Sequence, residues 1–155
     1  MAWEQIFGIA NLVALVAWGV LILAPRREIV VRALFFGPIL LLALGYAAGL
    51  VLVLSGVVPT GGGGADFSTI AGVRSIFSSD AGVTIGWVHY LCFDLFVGLW
   101  IARNADAYGL NDLKGRLIQA PILIATFMAG PLGLAIYIVL RAVLLRTRSA
   151  HLIPT

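Results

Sequence analysis

Two residues capable of acid and base chemistry, His89 and Asp94, lie in a stretch that otherwise has almost none: Gly86 to Arg103 reads GWVHYLCFDLFVGLWIAR. Insertion of an aspartate near the centre of an apolar helix costs roughly 2.5–3.5 kcal/mol, so a chain that keeps one there has a partner or a task for it. A carboxyl group kept out of water can act as an acid, and a nearby imidazole as a base. Both residues also have structural readings. Asp94 can lock a bundle by pairing with a backbone donor, Tyr137 or Arg141, and His89 can be a hydrogen-bonded core histidine.

Other chemistries lack their residues. Of the two histidines, His151 is in the tail, whereas a di-iron or zinc site needs three or more convergent ligands, so no metal is expected. Dinucleotide fingerprint, nucleophile elbow and Walker patterns are absent, and Gly61 to Gly64, with no Lys-Ser or Lys-Thr after them, read as a linker. Cys92 is alone and reads as a small buried hydrophobe. Catalysis here would be cofactor-free proton transfer on an apolar substrate.

The elements that must position these residues are membrane helices. Hydrophobic residues make up 61% of the 155 and charged ones 11%, against about a quarter charged in a soluble domain. The expectation is an all-α membrane protein with four transmembrane helices in one domain, residues 1–155, and a short amphipathic interfacial helix between the second and third. The net charge of +3 is scattered over connections, which suits topology-setting arginines and excludes nucleic acid as a partner.

The first helix is expected from Ile6 to Ala24, with Asn11, Ala14 and Trp18 on a stripe facing the bundle. The second, Ile29 to Val57, carries a kink at Pro38 and a close-packing Gly45/Gly49 pair. Asp66 would cap the amphipathic segment, whose apolar residues Phe67, Ile70, Val73, Ile76 and Phe77 recur at helical spacing. The third helix runs from Ala81 to Ala102 with Asp80 as its cap. On a helical wheel His89 and Asp94 are about 140° apart and flank a sector of Gly86, Tyr90, Phe93 and Val97, so both are expected to border one ligand groove. Arg103 to Ala120 reads as a polar connection and Pro121 to Leu145 as the fourth helix. Thr126, Gly130, Gly133, Tyr137 and Arg141 form one polar, small-residue stripe on it, bent at Pro131, with Arg141 snorkelling to the interface. Six of the ten basic residues fall on the two inner connections of this plan, which favours both termini on the non-cytoplasmic side.

The segments FSTIAGVRSIFSSD, GWVHYLCFDLFVGLWI and PILIATFMAGPLGLAIYIVLR resemble the abscisic-acid-deficient-four-like family over roughly Asp66 to Arg141. Its marks here are Phe77-Ser78-Ser79, Trp87-Val88-His89, Asp94-Leu95-Phe96 and Gly130-Pro131-x-Gly133. The resemblance implies a four-helix membrane protein of carotenoid metabolism, in a bacterial inner membrane or a plastid membrane. Plant members are required for neoxanthin synthesis, attributed to isomerisation of the epoxide end group of violaxanthin to an allene. That reaction is redox-neutral and needs one proton delivered to oxygen and one removed from carbon. With His89 and Asp94 as the catalytic pair, the expected contacts to a carotenoid or other apolar isoprenoid are Trp87, Tyr90, Phe93, Thr126, Gly130, Tyr137 and Arg141. One departure is Leu99, where the family's bacterial pattern carries arginine. The alternative is a non-catalytic pigment-binding or accessory subunit, as a homo-oligomer or within a larger membrane (photosynthetic) complex in contact with lipid. A transporter would carry internal repeats, and the two halves show none.

Overall fold

The first apolar run ends at a helix-stopping proline, and its helix follows that stop. The computed structural model describes residues 2–59 and 66–150, and the side chains among them from residue 3 to 143; the Gly61 to Gly64 linker and His151 lie outside the described residues. Helix α1 (Ala2–Leu23) stops just before Pro25. The second apolar run is continuous from Glu28 to Leu54: α2 (Glu28–Leu34), one π-helical turn (Phe35–Ile39) and α3 (Leu40–Leu54). The π turn contains Pro38 and is where the run accommodates a residue without an N–H. After α4 (Ile70–Ile76) come α5 (Asp80–Ala107), α6 (Leu113–Ala129) and α7 (Pro131–Ala150). No strand occurs among the described residues. Among the described residues three helical stretches, Trp3–Leu23, Glu28–Leu54 and Asp80–Ala107, are long and apolar enough to cross a membrane.

The 28-residue α5 is the axis of the molecule. Helix α1 runs beside it in the same direction: Trp87 Nε1 donates to Asn11 Oδ1 at 3.0 Å, and Trp18 covers Gly98 further along. Ala14 and Trp18 are buried as their stripe requires. The second run is antiparallel. Arg103 meets Glu28 at 2.7 Å, the Cys92 thiol donates to Ile39 O at 3.5 Å, and a Cβ on Gly49 would stand 2.8 Å from Ile85 Cγ1. Of the Gly45/Gly49 pair only Gly49 makes a close approach, since nothing lies near Gly45. Leu95, Ile101 and Ala102 of α5 form one core with Ala17 and Leu21 of α1 and Leu123 of α6. In a bilayer such contacts are held by close packing, which is why small residues mark them.

The fourth helix departs from expectation. It begins at Leu113, inside the stretch read as a connection, and at Gly130 the backbone takes φ 32° and ψ −89° and reverses. Gln119 of α6 bonds Asp106 and Leu110 O, while Tyr137 and Arg141 of α7 bond Asn104 and Tyr108. The far ends of α6 and α7 therefore meet the same end of α5. Between them Gly133 packs on Thr126, and the tip residue Gly130 packs on Asp94, at the midpoint of α5. The element is a helical hairpin reaching half the length of α5, and neither of its helices is among the described stretches long and apolar enough to cross a membrane. Pro131 starts the returning helix, where its missing N–H costs nothing, instead of bending a continuous one.

Two further expectations are corrected with it. The start of α1 and the end of α7 lie at opposite ends of α5, so the two termini of the helical body do not share a side. The caps also differ: Thr69 caps α4 by accepting from Gly72 N, and Ser79 caps α5 by accepting from Gly82 N. Asp66 stands outside α4 and accepts from Ser68 N, Ser68 Oγ and Thr69 Oγ1, while Asp80 is the first helical residue of α5.

Candidate functional site

His89 is half-buried on α5 and lies among aromatic rings. The Tyr46 ring of α3 is 5.1 Å from the imidazole centroid, Phe93 4.7 Å and Tyr90 5.8 Å. Neither ring nitrogen hydrogen-bonds to a described residue. A hydrogen-bonded core histidine is thus not what the fold contains. The imidazole instead lines an apolar groove of about 290 Å³ between α3 and α5, whose far wall is Phe67, Ile76 and Phe77 of the α4 segment. The amphipathic helix that the spacing predicts is therefore part of this wall. Gly86 forms the floor because Phe77 packs where its side chain would be. Tyr90 and Phe93, 57% and 54% exposed, flank the imidazole towards the surroundings.

Asp94 does not line this groove. It lies one turn and a half further along α5, about 7.5 Å by helical rise, and its carboxylate faces the hairpin tip. A Cβ on Gly130 would collide with it, so glycine is required there twice over, by contact and by positive φ. Asp94 hydrogen-bonds to no described residue, and its electrostatic partner is His89. The lock with Tyr137 or Arg141 does not form: Tyr137 Oη and Asn104 Oδ1 are 2.6 Å apart, and Arg141 donates to Tyr108 Oη at 2.8 Å with its guanidinium 4.9 Å over that ring.

The remaining expected contacts scatter. Trp87 stacks on Phe7 at 5.8 Å and faces α1. Thr126 is fully buried within the hairpin and donates to Ile122 O. Tyr137 and Arg141 lie at the far end of α5. Leu99 is buried and borders a separate groove at that end, one turn from Arg103. The structure brings together His89, Tyr90 and Phe93; it places Asp94 with Gly130 and separates both groups from Tyr137 and Arg141.

A polar cluster at the hairpin base escaped the sequence reading. Arg26 donates to Asp106 Oδ1 at 2.9 Å and to Gln119 Oε1 at 2.6 Å, and Arg116 donates to the carbonyls of Ile22 and Ala24 at the end of α1. Burial pulls Arg26 below the usual arginine range and Asp106 opposes that. The cluster fastens the hairpin to α1 and α5. Tyr46 was missed as well, although it is the one residue of α3 with a polar side chain.

A family model described as ABA DEFICIENT 4-like matches residues 5–137. The chain belongs to the ABA DEFICIENT 4-like family. The match takes in the whole of α5 and α6 and extends the resemblance seen from Asp66 onward to the first two spans. At this level the molecule is a membrane protein of a carotenoid-related family. No curated protein and no solved structure matches the chain. No cluster of three or more metal-ligating side chains occurs among the described residues.

Proposed function

We propose that this ABA DEFICIENT 4-like protein seats the end group of a carotenoid in the α3–α4–α5 groove and moves a proton on it through His89. The observation that carries the reading is an imidazole whose nitrogens have no hydrogen-bond partner among the described residues, opening on an apolar groove. About 290 Å³ is at the small end of ligand pockets, roughly 300–1,000 Å³. The groove accordingly takes one ring-sized end group and leaves the polyene among lipid chains. In an epoxide-to-allene isomerisation the imidazole takes the proton from carbon as the C–O bond opens, and the oxygen receives a proton from His89 or a neighbouring phenol, Tyr46 or Tyr90. Electrons and protons balance with no cofactor. Asp94, on the hairpin side, acts on His89 through its charge without touching the ligand. Tyr90 and Phe93 remain as ligand contacts; Trp87, Thr126, Gly130, Tyr137 and Arg141 are assigned to the framework.

A second reading, a pigment-binding subunit without chemistry, is favoured by the placement of Asp94 outside the groove. The largely uncovered faces of α1 and of the Glu28–Leu54 run, with 28% and 17% of their apolar windows buried, suit membership of a larger membrane assembly. The two readings part on one experiment: purification in mild detergent from a host that makes epoxy-carotenoids, followed by extraction of the bound pigment. An isomer of the host pigment supports the enzyme, unaltered host pigment supports the binder, and a protein that retains no carotenoid contradicts both.

A further inference from the structure

At the other end of α5, on the side of the α1–α2 connection, a second groove has a different composition. Glu28 accepts from Arg32 at 3.2 Å and from Arg103 at 2.7 Å, so one carboxylate is shared by two guanidinium groups and one positive charge is left over. The three side chains are 58%, 71% and 49% exposed. Behind them a space of about 420 Å³ is bordered by Phe35, Phe96 and Trp100. Phe35 packs on Phe36 at 5.2 Å and faces Phe96 at 6.4 Å, and the π turn that begins at Phe35 leaves both phenylalanines exposed. Phe35 and Phe96 are each seven residues along their helices from Glu28 and Arg103, which is about 10 Å of rise. A cationic rim over an aromatic wall of that depth is amphiphilic in the manner of a lipid molecule, not of a free ion.

We propose that this groove binds an anionic phospholipid. Its phosphate is held by Arg32 and Arg103 in competition with Glu28, and the first segment of one acyl chain lies along Phe35, Phe96 and Trp100. Planar guanidinium groups pair with phosphate oxygens through two parallel donors, and Trp100, one turn from Arg103 on the same groove, is of a type favoured at the boundary between headgroups and chains. This site is independent of the His89 groove.

The test equilibrates the purified full-length protein with mixed micelles of equal phosphatidylglycerol and phosphatidylcholine and measures the ratio of the two lipids retained. The wild type enriches phosphatidylglycerol, and R32Q/R103Q lowers the enrichment by about fivefold for each arginine removed. E28Q frees both guanidinium groups and raises it. R27Q/K114Q removes the same charge from exposed positions outside the groove and leaves the ratio within about twofold of wild type. The proposal is overturned if R27Q/K114Q lowers the enrichment as far as R32Q/R103Q, which would make it a bulk surface effect. It is equally overturned if E28Q fails to raise it, a reading that stands even where R32Q/R103Q does not fold, or if excess inorganic phosphate displaces the lipid.

Discussion

An imidazole and a carboxylate, neither hydrogen-bonded to a described residue and on different faces of one helix, define the residue scale. Both were legible because a polar residue in an apolar run needs an explanation. Their separation was legible in part: the wheel put them on different faces, but only the hairpin fixes what the Asp94 face meets. Gly130 shows what the sequence leaves open, because Gly-Pro in an apolar stretch is as consistent with a kink as with a full reversal. The positive φ of Gly130 and its contact with Asp94 predict that Gly130→Ala destabilises the protein by about 1–3 kcal/mol. The double variant Gly130→Ala/Asp94→Ala should recover only part of that, since the backbone strain remains. Thermal unfolding in detergent measures both; a melting temperature unchanged by Gly130→Ala would contradict the reversal at this residue. Asp94→Asn, which keeps shape and removes the ionisable proton, is expected to leave pigment retention intact while slowing conversion, and equal loss of both would place Asp94 in the framework alone.

At the scale of elements, the long apolar runs could be read from composition, and α1, the Glu28–Leu54 run and α5 formed within a few residues of expectation. Helix α6 could not, because its first turns carry Lys114 and Arg116 and its buried Gln119 looks like loop polarity until Arg26 and Asp106 are seen to surround it. Gln119 is fully buried and bonds Arg26, Asp106 and Leu110 O. Gln119→Leu strands charged partners and should cost about 1.5–3 kcal/mol, loosening the hairpin base first; hydrogen exchange across α6 and α7 that matches wild type would count against this role. The α4 segment is held differently. Hydrogen bonds from the Ser68 hydroxyl and backbone N–H and from Thr69 keep the Asp66 carboxyl below the usual value of 3.8. A depressed carboxyl stabilises the fold above its unfolded pKa and loses that contribution as pH falls through its folded value. A spin label at Ser75 should therefore report constant α4 mobility through neutral and mildly acidic pH and rising mobility only below about pH 4. Mobility that rises between pH 6 and 8 would assign the change to another group.

For the whole molecule, the hairpin removes a conflict in the charge pattern. With four full spans, six basic residues faced four across the membrane. With the α7 end returned to the side of the α1–α2 connection, Arg141, Arg146 and Arg148 join Arg26, Arg27, Arg32, Arg103, Lys114 and Arg116, and of the ten basic residues Arg74 alone is on the other side. The positive-inside rule predicts that this majority side is cytoplasmic, so a green fluorescent protein fused at the C-terminus should fluoresce and an alkaline phosphatase fused there should be inactive; the reverse pattern would contradict this topology. The same rule predicts that the His89 groove and α4 face the non-cytoplasmic half of the membrane. The most direct measurement of the central claim, that a proton moves through His89 on a bound end group, is pigment conversion by His89→Gln in a host that supplies epoxy-carotenoid. The account predicts that the variant folds, retains the pigment and loses conversion by at least about a hundredfold. Conversion at the wild-type rate with His89 replaced would contradict it.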